Sequence, residues 1–247
     1  MHVCGYMLYA HMKLAESEGS VRVFDFDGTI YGGESLFDLY LFSARYDPKV
    51  FRFLAPVLRY AVKYKLGKAT LEEMEHGVGA VTAKYLDALA SSRTIQTMRT
   101  HTLQQASQSG LEQDVLASEA SEQMVRCRIN ALHALVNAFW DRNMRRIKPW
   151  YDPKPDDVVI TASFDLTVGE ACRRLGVTNL ISSTIDPVTM SVTYLNFNTN
   201  KPKRFREVYG DAAVIDEFYT DSAFDQPMID MARKAFMVKG NVITRVK

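Results

Sequence analysis

Residues 21–30 read VRVFDFDGTI, and this stretch decides the fold that the sequence predicts. The alternating Val21 and Val23 and the aromatic pair Phe24 and Phe26 are typical of a short buried strand, and the Gly-Thr pair at 28 and 29 ends that strand. Two carboxylates, Asp25 and Asp27, therefore follow the strand into a glycine turn. On an open α/β sheet, ligands bind outside the carboxyl ends of the strands, so both acids are expected to face a ligand there. Taken alone, the motif is explained equally well by a surface turn with solvated acids.

Length and composition limit the classes of protein to consider. A chain of 247 residues with 47% hydrophobic content can bury a sizeable core, either as one large domain or as a core domain with an insertion. The formal net charge of +1 gives no overall field that would attract nucleic acid, so no nucleic-acid partner is expected. The three cysteines have neither metal-binding nor disulfide spacing, which favours a reducing cytoplasm.

A long helical insertion is predicted directly after the glycine turn. Apolar residues recur with a helical period after Glu34, and no proline occurs between Pro56 and Pro149. The insertion begins where a lid over the carboxyl end of the first strand would be attached. We therefore expect a loose leader over 1–20, an α/β core formed by 21–33 and 150–247, and a helical cap over 34–149 whose polar middle, about 87–123, is exposed or mobile.

The last third of the chain alternates strands and helices, which is typical of a parallel sheet covered on both faces. The pattern predicts an α/β fold with a Rossmann-like, three-layer parallel sheet and an inserted all-helical cap. The predicted strands are 158–161, 180–185, 190–196, 213–219 and 235–238, and the predicted helices are 166–175, closed by Gly176, 202–210 and 227–234.

The cap contains a basic amphipathic segment, residues 49–66. Its cationic side chains lie close together on one helical face, beside a row of apolar residues. A solvated basic face is the interpretation we favour. Peripheral contact of a cytoplasmic protein with an anionic membrane is the other, because such a face also suits lipid headgroups. The cations are Lys49, Arg52, Arg59 and Lys63.

Four short motifs fall at the carboxyl ends of predicted strands or at the starts of predicted helices. They are Asp25-Phe-Asp27-Gly-Thr, Thr161-Ala-Ser163, Lys201 before Pro202, and Asp221-Ser-Ala-Phe-Asp225. In this order they resemble the four motifs of the haloacid dehalogenase superfamily, and most closely its phosphoserine-phosphatase-like branch, which carries a helical cap between the first and second motifs. The resemblance covers the chain from Val21 to Gly240. It departs from the family pattern at Thr220, where the family usually has glycine.

The resemblance implies a role for each acid of the first motif. Asp25 is the expected nucleophile, which forms an aspartyl-phosphate and also binds Mg²⁺. Asp27 is expected to bind the metal through its backbone carbonyl, and to act through its carboxyl group as general acid and then as general base. An acid at position 27 argues for phosphatase or phosphomutase chemistry, since the family's dehalogenases have no carboxylic acid there.

The other three motifs are expected to supply a hydroxyl, a cation and further metal ligands. The resemblance assigns Thr161 to the phosphoryl-binding hydroxyl, with Ser163 as a competitor, and Lys201 to the charge-balancing cation, with Lys203 as a competitor. Each of these residues also has an ordinary explanation as a cap, a strand residue or a solvated side chain. The expected metal ligands are Asp25, Asp27, Asp221 and Asp225, the last through water or by orienting the others, and the expected substrate-binding residues are Gly28, Thr29, Glu34, Ala162 and Ser163.

The resemblance as a whole predicts a Mg²⁺-dependent phosphatase acting on a small-molecule phosphomonoester. An amino-acid phosphate is favoured, because Glu34 follows Asp25 by nine residues, where phosphoserine phosphatases have a glutamate that recognises the substrate's amino group. Glu34 is equally well explained as the start of the first cap helix. The alternatives are a phospholipid-headgroup phosphatase, a phosphotransferase or mutase, and a non-catalytic binding member of the family.

Overall fold

The computed structural model describes residues 21–95 and 118–247. The described residues fall into two compact units, one of 21–36, 143–184 and 194–247, and the other of 37–95, 118–142 and 185–193. The predicted leader, 1–20, and most of the polar middle of the cap lie outside the described residues. The predicted domain boundaries at 34 and 149 stay predictions.

The described residues include a seven-stranded sheet. Its strands are β1 (Arg22–Phe24), β2 (Val158–Phe164), β3 (Asn179–Ile185), β4 (Val192–Tyr194), β5 (Ile215–Thr220), β6 (Ala232–Lys239) and β7 (Val242–Arg245). The spatial order is β4-β3-β2-β1-β5-β6-β7. The pairs β1–β2, β1–β5, β2–β3 and β5–β6 are parallel, and β6–β7 is antiparallel. The predicted α/β fold is confirmed.

The first strand of the sequence is the central strand of the sheet. Val23 is paired with Val158 on one side and with Phe218 on the other. These three side chains are fully buried in one apolar cluster that also includes Ile215 and Phe205. The chain continues from β1 to β2 on one side and reaches β5 on the other, so the strand order reverses at β1. The carboxyl end of β1 is therefore the position where an open α/β sheet binds its ligand.

Seven α-helices are described. In chain order they are α1 (Ser35–Ser43), α2 (Leu54–Lys65), α3 (Leu71–Ala90), α4 (Ser118–Asn143), α5 (Asp165–Leu175), α6 (Asn200–Tyr209) and α7 (Gln226–Met231), with 3₁₀ turns at Pro48–Phe53, Met144–Arg146 and Ala223–Asp225. Helix α5 ends at Gly176, whose φ of +74° is left-handed, as the sequence predicts.

The helical unit has a core of its own. Leu135 and Phe139 of α4 are fully buried, and the Phe139 ring meets Phe42 of α1 edge-on, with ring centroids 5.7 Å apart. Thr70 and Glu73 form a reciprocal capping box that starts α3. None of the helices within 21–95 and 118–247 combines the length and the hydropathy that a membrane crossing needs.

The predicted end of the chain was wrong in two respects. The helix expected over 227–234 is only α7, because β6 begins at Ala232 and pairs with β5 from that residue. A further strand, β7, was not predicted, and it makes the sheet mixed. The missed signal is Gly240-Asn241, a two-residue hairpin loop between the paired residues Lys239 and Val242, with Gly240 at a φ of +59°.

We expect the buried apolar cluster to dominate the stability of the first unit. Replacing the fully buried Ile215 with alanine should lower the free energy of unfolding by about 2–5 kcal/mol, since it removes buried methyl groups and leaves a cavity. The matched control is Ile243→Ala on the exposed edge strand β7, which should cost about 1 kcal/mol or less. Urea denaturation at constant temperature measures both, and equal losses would show that the core is not where the structure places it.

Candidate active site

The site is built on the turn that follows β1. The Asp25 amide donates to the Tyr219 carbonyl at 2.8 Å, which extends the β1–β5 ladder by one residue beyond the strand. The chain then turns through Gly28, whose φ of +68° is left-handed. The ladder therefore fixes the backbone of Asp25, and the turn places Asp27 beside it at the carboxyl edge of the sheet.

A buried ammonium joins two of the predicted acids. Lys201, in the first turn of α6, places its Nζ 2.9 Å from Asp25 Oδ1 and 2.8 Å from Asp225 Oδ1. All three side chains are buried. Asp225 also accepts a hydrogen bond from the Thr220 hydroxyl at 2.7 Å. The structure thus brings Lys201 to Asp25, whereas the competing Lys203 is exposed.

Two carboxyl groups share one cation in this cluster. Burial raises the pKa of Asp25 to about 8, although the Lys201 ammonium opposes the shift, and the nearby Asp225 carboxylate adds to it. Burial disfavours the Lys201 ammonium, but Asp225 and Asp25 outweigh that effect and raise the pKa of Lys201. The lysine therefore keeps its proton. Two carboxylates share its single positive charge, so ionised Asp25 needs a further cation.

Two serines hold the carboxyl group of Asp27. The Ser35 amide donates to Asp27 Oδ1 at 2.6 Å, and the Ser163 hydroxyl donates to Oδ2 at 2.5 Å. The two serine hydroxyl oxygens lie 3.1 Å apart. Burial raises the pKa of Asp27, and the hydrogen bonds from Ser163 and Ser35 oppose that rise. This carboxyl group is therefore fixed in orientation and favours its protonated form more than an exposed aspartate does.

The second motif occupies the end of β2. Ser163, which the sequence ranks below Thr161, is the residue that contacts Asp27. The buried Thr161 hydroxyl accepts a hydrogen bond from the Ser163 amide at 3.1 Å, and the Ala162 carbonyl accepts one from Ser183 at 2.6 Å. The expected contact of Thr161 with a phosphoryl group stays a prediction.

Asp221 approaches the glycine turn from β5. A Cβ placed on Gly28 would lie 2.0 Å from Asp221 Oδ2, so only glycine lets this carboxylate approach so closely. The buried Thr29 hydroxyl lies 3.5 Å from Asp221 Oδ1. Burial raises the pKa of the Asp221 carboxyl group. The turn after β1 and the end of β5 therefore bring the Asp221 carboxylate beside the glycine turn.

Two functional candidates were missed by the sequence interpretation. Lys148 donates from Nζ to the Gly28 carbonyl, and its backbone amide donates to Ile30 at 2.8 Å. Burial lowers the pKa of this lysine, and Asp221 opposes that effect. The second candidate is Ser35, whose amide contacts Asp27. The available signals were a lysine next to Pro149, at the predicted end of the cap, and a serine at a predicted helix start.

Glu34 lies immediately before α1 and is exposed. It is next in the chain to Ser35, which binds Asp27, so its backbone is held near the acids of the first motif. The expected recognition of a substrate by its carboxylate stays a prediction.

The donor set suits a hard cation. Asp25, Asp27 and Asp221 supply carboxylate and carbonyl oxygens, which Mg²⁺ prefers, and burial raises the pKa of all three carboxyl groups. Gly28 leaves open the space that Asp221 occupies. The described residues contain no group of three acidic, histidine or cysteine side chains placed to hold a metal. The ligand set that the resemblance implies does not require such a group, because it consists of the backbone carbonyl of Asp27 and the side chains of Asp25 and Asp221.

Comparison with known proteins finds no matching family model and no matching curated protein. A solved structure of a protein of unknown function from Bordetella pertussis Tohama I is 17% identical over 89% of each chain, with a TM-score of 0.50. At this identity the match shows a shared fold.

Two further matches have lower TM-scores. A HAD family hydrolase from Salmonella enterica subsp. enterica serovar Typhi is 11% identical over 86% of this chain and 60% of its own, with a TM-score of 0.44. A phosphoserine phosphohydrolase-like protein from Francisella tularensis subsp. tularensis SCHU S4 is 13% identical over 88% of this chain and 86% of its own, with a TM-score of 0.43.

We expect the ion pairs of Lys201 to hold the site together. Lys201→Met keeps much of the side-chain volume but leaves Asp25 and Asp225 buried without their cation, so the free energy of unfolding should fall by about 3–5 kcal/mol at neutral pH. Lys203→Met, two residues further along the same helix and exposed, should change it by less than about 0.5 kcal/mol. Urea denaturation of the two variants checks this, and a loss for Lys201→Met no larger than that for Lys203→Met would contradict it.

Proposed function

We propose that this chain is a phosphatase of the haloacid dehalogenase superfamily, in the phosphoserine-phosphatase-like branch, and that it hydrolyses phosphomonoesters through an aspartyl-phosphate. The observation that carries the proposal is the contact of Lys201 with Asp25 at the carboxyl end of the central strand, beside an Asp27 held by two serines. An attacking carboxylate, its counter-cation and a separate proton donor are the groups that this chemistry needs.

Asp25 acts as the nucleophile. Its carboxylate oxygen attacks phosphorus, a bond from that oxygen to phosphorus forms, and the bond from phosphorus to the ester oxygen breaks. Lys201 lies 2.9 Å from Asp25 Oδ1, so it fixes the direction of the carboxylate and offsets its charge as an anionic substrate approaches. Asp225 holds Lys201 from the other side and acts as a positioning residue.

Asp27 transfers the proton in both half-reactions. In its protonated form it gives a proton to the departing ester oxygen, which leaves as an alcohol. The resulting carboxylate then takes a proton from water, whose oxygen attacks phosphorus and releases Asp25 and inorganic phosphate. The raised pKa of Asp27 supports the first step, and the fixed hydrogen bonds from Ser35 and Ser163 keep the carboxyl group in position for the second.

Mg²⁺ is the proposed cofactor. Asp25 and Asp221 would hold it through their carboxylates and Asp27 through its backbone carbonyl, with Asp225 acting indirectly. When bound, the ion supplies positive charge that stabilises the transferring phosphoryl group and the carboxylate that attacks it. Lys148 keeps the Gly28 carbonyl, and with it the turn after Asp27, in place.

The proposed substrate is a small phosphorylated metabolite, with an amino-acid phosphate as the first choice. Support comes from Glu34, an exposed acid directly next to a residue that binds Asp27. A carboxylate at this position suits a substrate with a cationic amino group. Phosphate release measured across amino-acid, sugar, nucleotide and lipid phosphates, with wild type and Glu34→Gln in parallel, identifies the class.

Removing the nucleophile should abolish turnover without unfolding the protein. We expect Asp25→Asn to lower the rate of p-nitrophenyl phosphate hydrolysis in Mg²⁺ by at least about a thousandfold, because an amide does not attack phosphorus. Wild type quenched in acid during turnover should carry a phosphoryl group on the peptide that contains Asp25. The matched control is Asp211→Asn, which removes an exposed acid of the same unit. Full activity in Asp25→Asn would exclude the proposed mechanism.

The close approach of Asp221 to Gly28 should set the requirement for Mg²⁺. EDTA should stop phosphate release, and added Mg²⁺ should restore it. Gly28→Ala should raise the Mg²⁺ concentration that gives half-maximal activity by about tenfold or more, since the added Cβ displaces Asp221. Gly176→Ala is the control, because Gly176 has a similar φ of +74° and no atom within 4 Å of an added Cβ. The same Mg²⁺ requirement in both variants would show that Asp221 is not a ligand.

A further inference from the structure

A row of exposed apolar side chains runs along α2 in the helical unit. We call residues 48–70 the basic segment. It contains the amphipathic segment 49–66 that the sequence predicts, and it comprises the 3₁₀ turn Pro48–Phe53, helix α2 and the residues up to Thr70. Within it, Leu58 and Val62 of α2 are 49% and 52% exposed, and Phe51 and Leu66 on either side of the helix are 52% and 62% exposed. Residues spaced by three or four positions in a helix share one face, so Leu58, Val62 and Leu66 form a continuous row.

The opposite face of α2 is the one that packs on the protein. The ring of Tyr60 lies against Gly77 of α3 so closely that a Cβ at Gly77 would be 2.3 Å from it. At about 100° per residue, Leu58 and Val62 both lie about 160° around the helix from Tyr60. The apolar row therefore faces away from α3. Such a row on a soluble surface is typical of an interaction site.

The charge of the basic segment is entirely of one sign. It contains no aspartate or glutamate, although the whole chain has 29 acidic and 30 basic residues. Arg59 and Lys63 are exposed and lie one turn apart beside the apolar row, where their aliphatic chains can follow the same surface. The six cations of the segment are Lys49, Arg52, Arg59, Lys63, Lys65 and Lys68.

A cavity at one end of the basic segment is lined by cations of the segment and by cations outside it. It has a volume of about 900 Å³, and its lining includes Lys49 and Arg52 from the segment and Lys84 from α3. Its two acids have other partners, since Asp87 forms an ion pair with Arg128 and Asp47 accepts a hydrogen bond from the Lys49 amide at 3.0 Å. The excess of positive charge thus continues beyond the helix, which favours a partner with many anionic groups.

We propose that the basic segment docks this protein on the surface of an anionic lipid bilayer. The apolar row of α2 enters the boundary between headgroups and acyl chains, with the helix axis parallel to the membrane, and the flanking cations contact lipid phosphates. An exposed apolar row on a segment whose charged residues are all cationic, and on a helix whose other face is already packed, matches this partner in both polarity and charge. The inference is independent of the proposed phosphatase activity, because its test measures binding alone.

Vesicle co-sedimentation tests the apolar row. The wild-type protein should bind vesicles of phosphatidylglycerol and phosphatidylcholine at low salt. Leu58→Glu/Val62→Glu should abolish this binding. The double variant should keep the circular dichroism spectrum and the unfolding midpoint unchanged, because both residues are exposed. The matched control is Val188→Glu/Val242→Glu, which places the same charges at sites that are 56% and 67% exposed. Equal loss of binding in the control, or no binding by wild type, would overturn the proposal.

The cations should contribute in proportion to their charge. Arg59→Gln/Lys63→Gln should lower the vesicle partition coefficient by roughly 30-fold. The control Lys154→Gln/Lys239→Gln removes two exposed cations of the other unit, and it should leave the coefficient within about twofold if only the basic segment touches lipid. Raising the salt concentration should reduce the difference. Equal binding to pure phosphatidylcholine vesicles would contradict the role of charge. Wild-type dimerisation that Leu58→Glu/Val62→Glu abolishes, without vesicle binding, would instead identify a second copy of the chain as the partner.

Discussion

One buried ammonium determines how this site is assembled. Lys201 contacts Asp25 and Asp225, and the three residues come from the turn after β1, the first turn of α6 and the 3₁₀ turn after β5. A buried charge without its partner costs several kcal/mol, so each of these elements is held where its charge is neutralised. The ion pairs therefore act as a constraint on the whole carboxyl edge of the sheet, in addition to any part that they play in chemistry.

The same cluster is short of positive charge. Burial raises the pKa of Asp25, Asp27 and Asp221, and within the described residues the cations directed at these acids are Lys201 and Lys148. A cation held by these acids would offset the repulsion between their charges. The packing of the apolar cluster around β1 supplies the stability that this arrangement requires. Adjacent residues thus serve stability and function, since Phe24 belongs to the buried strand and Asp25 to the site.

Sequence alone predicted the positions of the main charged residues, because each follows a strand or opens a helix. The pattern around Val21 predicted Asp25 at the end of a short buried strand, and Pro202 marked Lys201 as the residue at a helix start. Contacts between distant loops could not be predicted in this way. The reach of Lys148 to the Gly28 carbonyl depends on tertiary packing, and the choice of Ser163 as the partner of Asp27 depends on how far β2 extends. The strand β7 was missed although its β-branched residues Val242, Ile243 and Thr244 follow a two-residue loop, so local signals for a hairpin were present.

The central position of β1 has a consequence for the order in which the protein folds. Val21, directly before this strand, donates to the side chain of Asp216, which is 195 residues away in the chain. During synthesis, β1 leaves the ribosome long before either of its neighbours, and its two hydrogen-bonding edges stay without partners until most of the chain exists. Closing such a long loop is slow, so the first unit is expected to fold late and in one cooperative step. The contacts among the helices of the second unit are closer in sequence, so these helices do not depend on the late strands of the chain.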